Sequence, residues 1–262
     1  MNGPLNGKCL VIIGGTTGLG LSASKACIAA GAVVVAVGND PGTTAAAEMV
    51  LGDKALAFTG DAREPDTSER AIGEALAAFG GFHGLYHVAG GSGRKYGDGP
   101  LHELSDDAWR LTLDLNLTSL MMSNRAAVRQ FLKQKTGGTL LNMGSVLGFS
   151  PAPRHFATHA YAAAKSAIIG FTKSIAACYA PHDIRANVIA PALVQTPMSE
   201  RAFSKAEVLK YVKSKQPLGG GRVGDPGDLD GAVVWFLSDA SRFCTAQVLT
   251  VDGGWTVSEG QG

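Results

Sequence analysis

Charge of either sign is scarce in this chain of 262 residues, and what there is cancels: 23 Lys and Arg stand against 22 Asp and Glu, with six His and a net charge of +1. That balance excludes the broad basic field with which a protein gathers nucleic acid or an anionic membrane surface. Cysteine is sparse too. Cys9, Cys27, Cys178 and Cys244 fall in apolar or helical contexts at no metal-type spacing, so they are expected to be reduced, buried thiols and no metal is expected. No apolar run reaches the roughly 18 uninterrupted residues of a membrane span. The opening Met-Asn-Gly-Pro-Leu-Asn-Gly-Lys lacks the basic start and the length of a signal peptide. A soluble, cytoplasmic protein is the expectation.

What the chain has instead is glycine, 35 residues of it, with much alanine and valine. Short apolar runs alternate with longer helical patterns from end to end, which is how a parallel sheet covered on both faces reads. Strands are predicted at Cys9 to Ile13, Val33 to Val37, Ala55 to Thr59, Gly84 to Ala89, Thr139 to Met143, Ile184 to Ile189 and Val248 to Val251. Helices are predicted at Gly18 to Ala30, Thr43 to Leu51, Pro65 to Phe79, Asp106 to Lys135, Thr158 to Ala180 and Pro226 to Ser238, with a shorter piece at Ser204 to Lys215. No composition shift, repeat or linker divides the chain. The fold class is therefore α/β, one Rossmann-type doubly wound domain over residues 1–262 with about seven parallel strands, ending in a loose tail at Ser258 to Gly262.

Directly after the first strand comes Gly14-Gly15-Thr16-Thr17-Gly18-Leu19-Gly20, opening a helix. Glycine is needed there because phosphate oxygens must approach the backbone closely while the helix N-terminus points free N–H groups at them. No Gly-Lys-Ser or Gly-Lys-Thr follows, so a Walker loop fails and a dinucleotide is the expected ligand. The second strand ends in Gly38-Asn39-Asp40, with no Lys or Arg at that corner. Asp40 would repel a 2′-phosphate, which favours NAD(H); Asn39 could hydrogen-bond either form, so NADP(H) stays open.

Tyr161 and Lys165, four residues apart, share one helix face. A cation held beside a phenol favours the phenolate, so Lys165 is expected to pull the Tyr161 pKa down from about 10 toward neutrality, where the phenol can give or take a proton.

Taken together these residues resemble the short-chain dehydrogenase/reductase family over nearly the whole chain. Gly14, Gly18 and Gly20 match its Thr-Gly-x-x-x-Gly-x-Gly, although Ile13 stands for the threonine; Asp61, followed by Ala62, matches its adenine-contacting acid. The family's Asn-Asn-Ala-Gly is His87-Val88-Ala89-Gly90, both asparagines being lost. Asn116, Ser145, Tyr161 and Lys165 match its catalytic set; Pro191-Ala192, with Val194 and Thr196 beyond, matches its nicotinamide segment, and Asp252-Gly253-Gly254 its last strand. The resemblance implies hydride transfer between a nicotinamide and a secondary alcohol or ketone. Tyr161 would be the acid/base, Lys165 would tune it and bind the nicotinamide ribose, Ser145 would hold the substrate oxygen, and Asn116 would link Lys165 to solvent through a water. It also implies pairing of the long helices across a two-fold axis and a second interface at Ala232 to Val251, hence a homotetramer, with a dimer as the alternative. A few extra residues stand between Ser145 and Tyr161, among them Pro151, Pro153, Arg154, His155 and His159.

Substrate contacts are expected from loops past the strand ends, at about 91–100, 147–159 and 193–221. Arg94, Lys95 and Tyr96 with Arg154, His155 and His159 could form an anion site, solvated loop charges being the commoner outcome. Other readings remain: a catalytically silent nucleotide sensor or structural protein on the same fold, or a reductase of 3-oxoacyl thioesters. An enoyl reductase fits less well, because it normally wants a longer tyrosine-to-lysine spacing.

Overall fold

The computed structural model describes residues 3–259. Seven strands, β1 (Cys9–Ile13), β2 (Val33–Gly38), β3 (Ala55–Thr59), β4 (Gly84–His87), β5 (Gly138–Met143), β6 (Ile184–Pro191) and β7 (Val248–Val251), form one parallel sheet in the order β3-β2-β1-β4-β5-β6-β7. The helices are α1 (Gly18–Ala29), α2 (Pro41–Leu51), α3 (Thr67–Phe79), α4 (Asp106–Leu113), α5 (Ser119–Gln134), α6 (Pro153–Phe156), α7 (His159–Tyr179), α8 (Glu200–Phe203), α9 (Ala206–Lys215) and α10 (Asp230–Leu237). The chain turns from one side of the sheet to the other between β1 and β4, and a crevice opens beyond the carboxyl ends of those neighbours, as in other doubly wound sheets.

Alternation along β1 shows why both faces are covered. Leu10 and Ile12 join a core with Ala23, Cys27, Val233 and Phe236 beneath α1 and α10, while Val11 and Ile13 join Ala71, Ala75, Ala127 and Phe131 beneath α3 and α5. Each fully buried Leu, Ile, Val or Phe side chain among these stabilises the fold by roughly 1.5–3 kcal/mol. Several buried polar side chains are paired across elements. Asn142 on β5 exchanges two hydrogen bonds with Asn124 on α5 and donates to Thr172 on α7, fixing those helices against the strand that leads to Ser145. His87, where the family's first asparagine would stand, is fully buried with Nδ1 2.8 Å from Ser123 Oγ and Nε2 3.4 Å from Ser119 Oγ, so the imidazole ties β4 to α5.

Several expectations are corrected. The helix expected over Asp106 to Lys135 is interrupted at Asp114–Thr118 by a wider π turn, a feature that short-range periodicity does not mark. Cys178 is exposed and Cys244 partly so. Cys178 lies two residues past Ala176 and so off the Lys165, Ile168, Thr172, Ala176 face that α7 buries. Ser258 is not loose: its N–H donates to Gly254 O at 2.9 Å, its hydroxyl to Ser214 O at 2.9 Å, and Lys215 Nζ donates to its carbonyl. The rest of the expected tail, from residue 260 on, lies outside the described residues.

Candidate active site

The crevice widens into a cavity of about 520 Å³. Its cofactor end is backbone. Gly14 sits at φ +88°, and a Cβ there would stand 2.7 Å from Ala89 N; a Cβ on Gly20 would stand 1.9 Å from Gly14 O. The turn therefore closes only with glycine at both positions. Thr17 makes no side-chain cap on α1, whose first turn carries no acidic residue, so its free N–H groups face the cavity at Gly18 and Leu19. That cradle fits a pyrophosphate. Gly14, Thr16, Thr17, Gly18, Leu19, Asn39, Asp40, Asp61, Ala62, Ala89, Gly90, Pro191, Val194 and Thr196 all line the same space, whereas Gly20 packs behind the turn. Asp40 Oδ1 accepts Thr43 N–H at 2.8 Å and so caps α2. Asp61 is clasped by Arg63, Nη2 to Oδ2 at 2.6 Å, which holds its carboxyl below the usual range.

Ser145, Tyr161 and Lys165 meet in the middle of the cavity. Ser145 follows β5 and its Oγ accepts Leu147 N–H at 3.2 Å. Lys165 is buried, donates to Met143 O at 2.8 Å, and holds Nζ 5.5 Å from the Tyr161 ring centre. Burial pulls the Lys165 pKa down to about 7. Here the expected tuning of the phenol is corrected: burial pushes Tyr161 above its ordinary value, and it is the Ser145 hydroxyl that pulls it back. The physical reason is that the same low-polarity surroundings weaken the lysine's own charge and its ammonium points at a carbonyl. Asn116 does not line the cavity. It is fully buried in the π turn, where Nδ2 donates to Gly91 O (2.8 Å) and Thr112 O (2.9 Å) and Oδ1 accepts Gly91 N–H (3.1 Å).

All three expected loop regions reach the cavity, through Gly91, Ser92 and Arg94, through Leu147, Phe156 and Thr158, and through Leu193, Met198, Arg201 and Ala202. Lys95, Arg154 and His159 are exposed and do not line it, while His155 packs on Tyr211, ring centres 5.0 Å apart. Three residues escaped the sequence reading. Trp255, past β7, forms part of the wall and stacks edge-on with Phe156 and Tyr211. Arg201 was one cation among many. Asp98 is 2 % exposed and its two oxygens accept the N–H groups of Ala160 (3.0 Å) and Tyr161 (2.9 Å), so a loop some 60 residues away caps the helix that carries the phenol. Nothing local marks it, since Gly-Asp-Gly-Pro reads as an ordinary turn.

A doubly wound sheet with a glycine-built anion cradle, opening onto a serine, a tyrosine and a buried lysine, defines a dinucleotide-dependent enzyme. Comparison with known proteins bears on which one. The family described as enoyl-(acyl carrier protein) reductase matches residues 14–256. The chain is 32 % identical over 253 residues to a 2,5-dichloro-2,5-cyclohexadiene-1,4-diol dehydrogenase of Sphingobium indicum, covering 96 % of this chain and 98 % of that one. It is 33 % identical over 256 residues to a 3-alpha-(or 20-beta)-hydroxysteroid dehydrogenase of Mycobacterium bovis, covering 97 % and 91 %. A solved short-chain type dehydrogenase/reductase from Mycobacterium ulcerans superposes with a TM-score of 0.88 at 29 % identity, over 97 % of this chain and 91 % of that one. The chain belongs to the short-chain dehydrogenase/reductase family. It is an NAD(P)-dependent oxidoreductase acting on CH–OH groups.

Proposed function

We propose that the enzyme interconverts a small secondary alcohol and its ketone, with Tyr161 as general acid/base. The observation that carries this is the meeting of Ser145, Tyr161 and Lys165 in the cavity that the glycine cradle opens into. When bound, the nicotinamide exchanges hydride with the carbinol carbon. Tyr161 moves the proton on the substrate oxygen, and Ser145 holds that oxygen beside the phenol. Lys165 would bind the nicotinamide ribose. Asn116 Oδ1 and Lys165 Nζ both lie against Gly90, which supports a relay from Lys165 through Asn116. Asp40 at the end of β2, with no Lys or Arg lining the cavity there, favours NAD(H) over NADP(H).

Tyr161→Phe tests the reading. Nicotinamide absorbance is followed over a panel of alcohols and ketones with each cofactor. The variant should bind cofactor as the parent does and lose roughly 10²–10⁴ in turnover; a fully active variant would overturn the assignment. Cofactor binding with no turnover by the parent on any substrate would favour the silent sensor.

The proposed setting is a cytoplasmic homotetramer. Trp235, Leu249, Val257 and a fully exposed Phe243 leave the C-terminal region with apolar surface that a second copy would cover. Light scattering decides between tetramer and dimer.

A further inference from the structure

Two guanidinium groups stand at the substrate end of the cavity, and neither makes an ion pair among the described residues. Arg94 comes from the loop after β4 and Arg201 from α8, and both line the space that holds Ser145 and Tyr161. Arg94 is half-buried and uses one donor on His155 O at 3.0 Å, which fixes its position against the segment between Ser145 and Tyr161. The Arg201 side chain makes no hydrogen bond or ion pair among the described residues. Burial, and after it the charge of Arg201, disfavours the charged form of Arg94. Asp98, the acid whose charge favours the charged form of Arg94, has both oxygens occupied by the amides of α7. Arg94 is partly buried and Arg201 is exposed at the rim of the same cavity, and an anion lodged between two such guanidinium groups would offset both charges. The remaining wall is apolar, from Leu147, Phe156, Leu193, Met198 and Trp255. Trp255 is 1 % exposed, and its indole N–H has no acceptor among the described residues.

We propose that the alcohol or ketone turned over here carries an anionic group, a carboxylate or a phosphate ester, that seats between Arg94 and Arg201 while its apolar body lies against Leu147, Phe156 and Met198. This rests on the dehydrogenase reading above and deepens it. Planar guanidinium forks grip carboxylate and phosphate alike, so charge is the shared chemistry and chain-matched probes separate the sources.

The test uses the cofactor-loaded enzyme with oxo acids, their methyl esters and oxoalkyl phosphates of matched length. An anionic substrate should exceed the ester in kcat/KM by about tenfold or more, the value of one charged hydrogen bond. The preference should fall toward unity in Arg94→Gln and in Arg201→Gln, through KM. Arg94 also ties down a loop; Arg201 has no such bond, so R201Q separates recognition from folding. The rank of oxo acid against phosphate tells which anion the site takes. Equal kcat/KM for acid and ester, or a preference unchanged in R201Q, overturns the proposal and leaves the dehydrogenase standing if the esters react. Should nothing react, quenching of tryptophan fluorescence by the saturated carboxylate against its amide still decides. Carboxylate binding that R201Q abolishes keeps the anion site and sinks the proposed Tyr161 reaction on these alcohols, and no binding sinks both.

Discussion

The cofactor end of the cavity is walled by backbone, and the substrate end by side chains drawn from four separated segments, the loops around Arg94, Phe156 and Arg201 and the turn at Trp255. The first kind of wall tolerates almost no substitution, because its shape is the chain's own path at Gly14 and Gly20. The second can change residue by residue while the path stays. One scaffold thus keeps its reaction and exchanges its substrates, and Tyr161 stands where the two walls meet.

The largest effect should come from breaking the backbone wall. Gly20→Ala puts a methyl group 1.9 Å from Gly14 O, and is expected to cost about 3 kcal/mol of stability and to abolish measurable cofactor binding; thermal melting and a nucleotide titration read both. A next, pH-dependent effect belongs to Lys165, whose pKa of about 7 lies below the 10.5 of an unhindered lysine. The unfolded chain therefore binds the extra proton between those values, and stability contributed at this site rises as pH climbs from about 7 to above 10. Lys165→Met should be more stable than the parent by about 2 kcal/mol at pH 6, after the lost bond to Met143 O is counted. That gap should close by pH 10.5, and denaturant melts showing a constant gap would contradict it.

At the junction of the walls, Asp98→Ala strips the acceptor from two buried amides and should cost about 1–2 kcal/mol. It should also lower kcat more than it raises KM, since the phenol's helix loses its anchor, and Asp98→Asn should restore part of kcat. The smallest effect is expected at the rim. Arg63→Ala removes a largely exposed ion pair with Asp61 and should change stability by under about 0.5 kcal/mol; a cofactor Kd altered by more than about tenfold would show that Arg63 belongs to the adenine site after all.

The backbone wall was legible in the sequence for the reason that it resists change: Gly14 and Gly20 are there because a Cβ would strike backbone, Gly18 holds φ +50°, and period-two apolar runs between helical patterns place them after β1. Ser145, Tyr161 and Lys165 were legible by their order and spacing. What was hidden depends on contacts distant in the chain. Asp98 gains meaning only when it meets Ala160 and Tyr161, Trp255 only when it meets Phe156 and Tyr211. The π turn at Asn116 is set by its clasp on Gly91, and the direction of the Tyr161 shift by burial. His87 looked like a defect where an asparagine is expected. It is instead a neutral strut, its pKa driven down to about 3 by burial and by Lys165, joined to two serines of α5.

Asp98 has a consequence for how such an enzyme acquires new substrates. The loop that bears Arg94 also holds, four residues on, the carboxylate that seats the reactive helix. It is therefore not an interchangeable cassette: a transplanted loop that brings a new specificity but no acid at that point would set the phenol adrift, and selection on substrate alone would be answered by a slower machine.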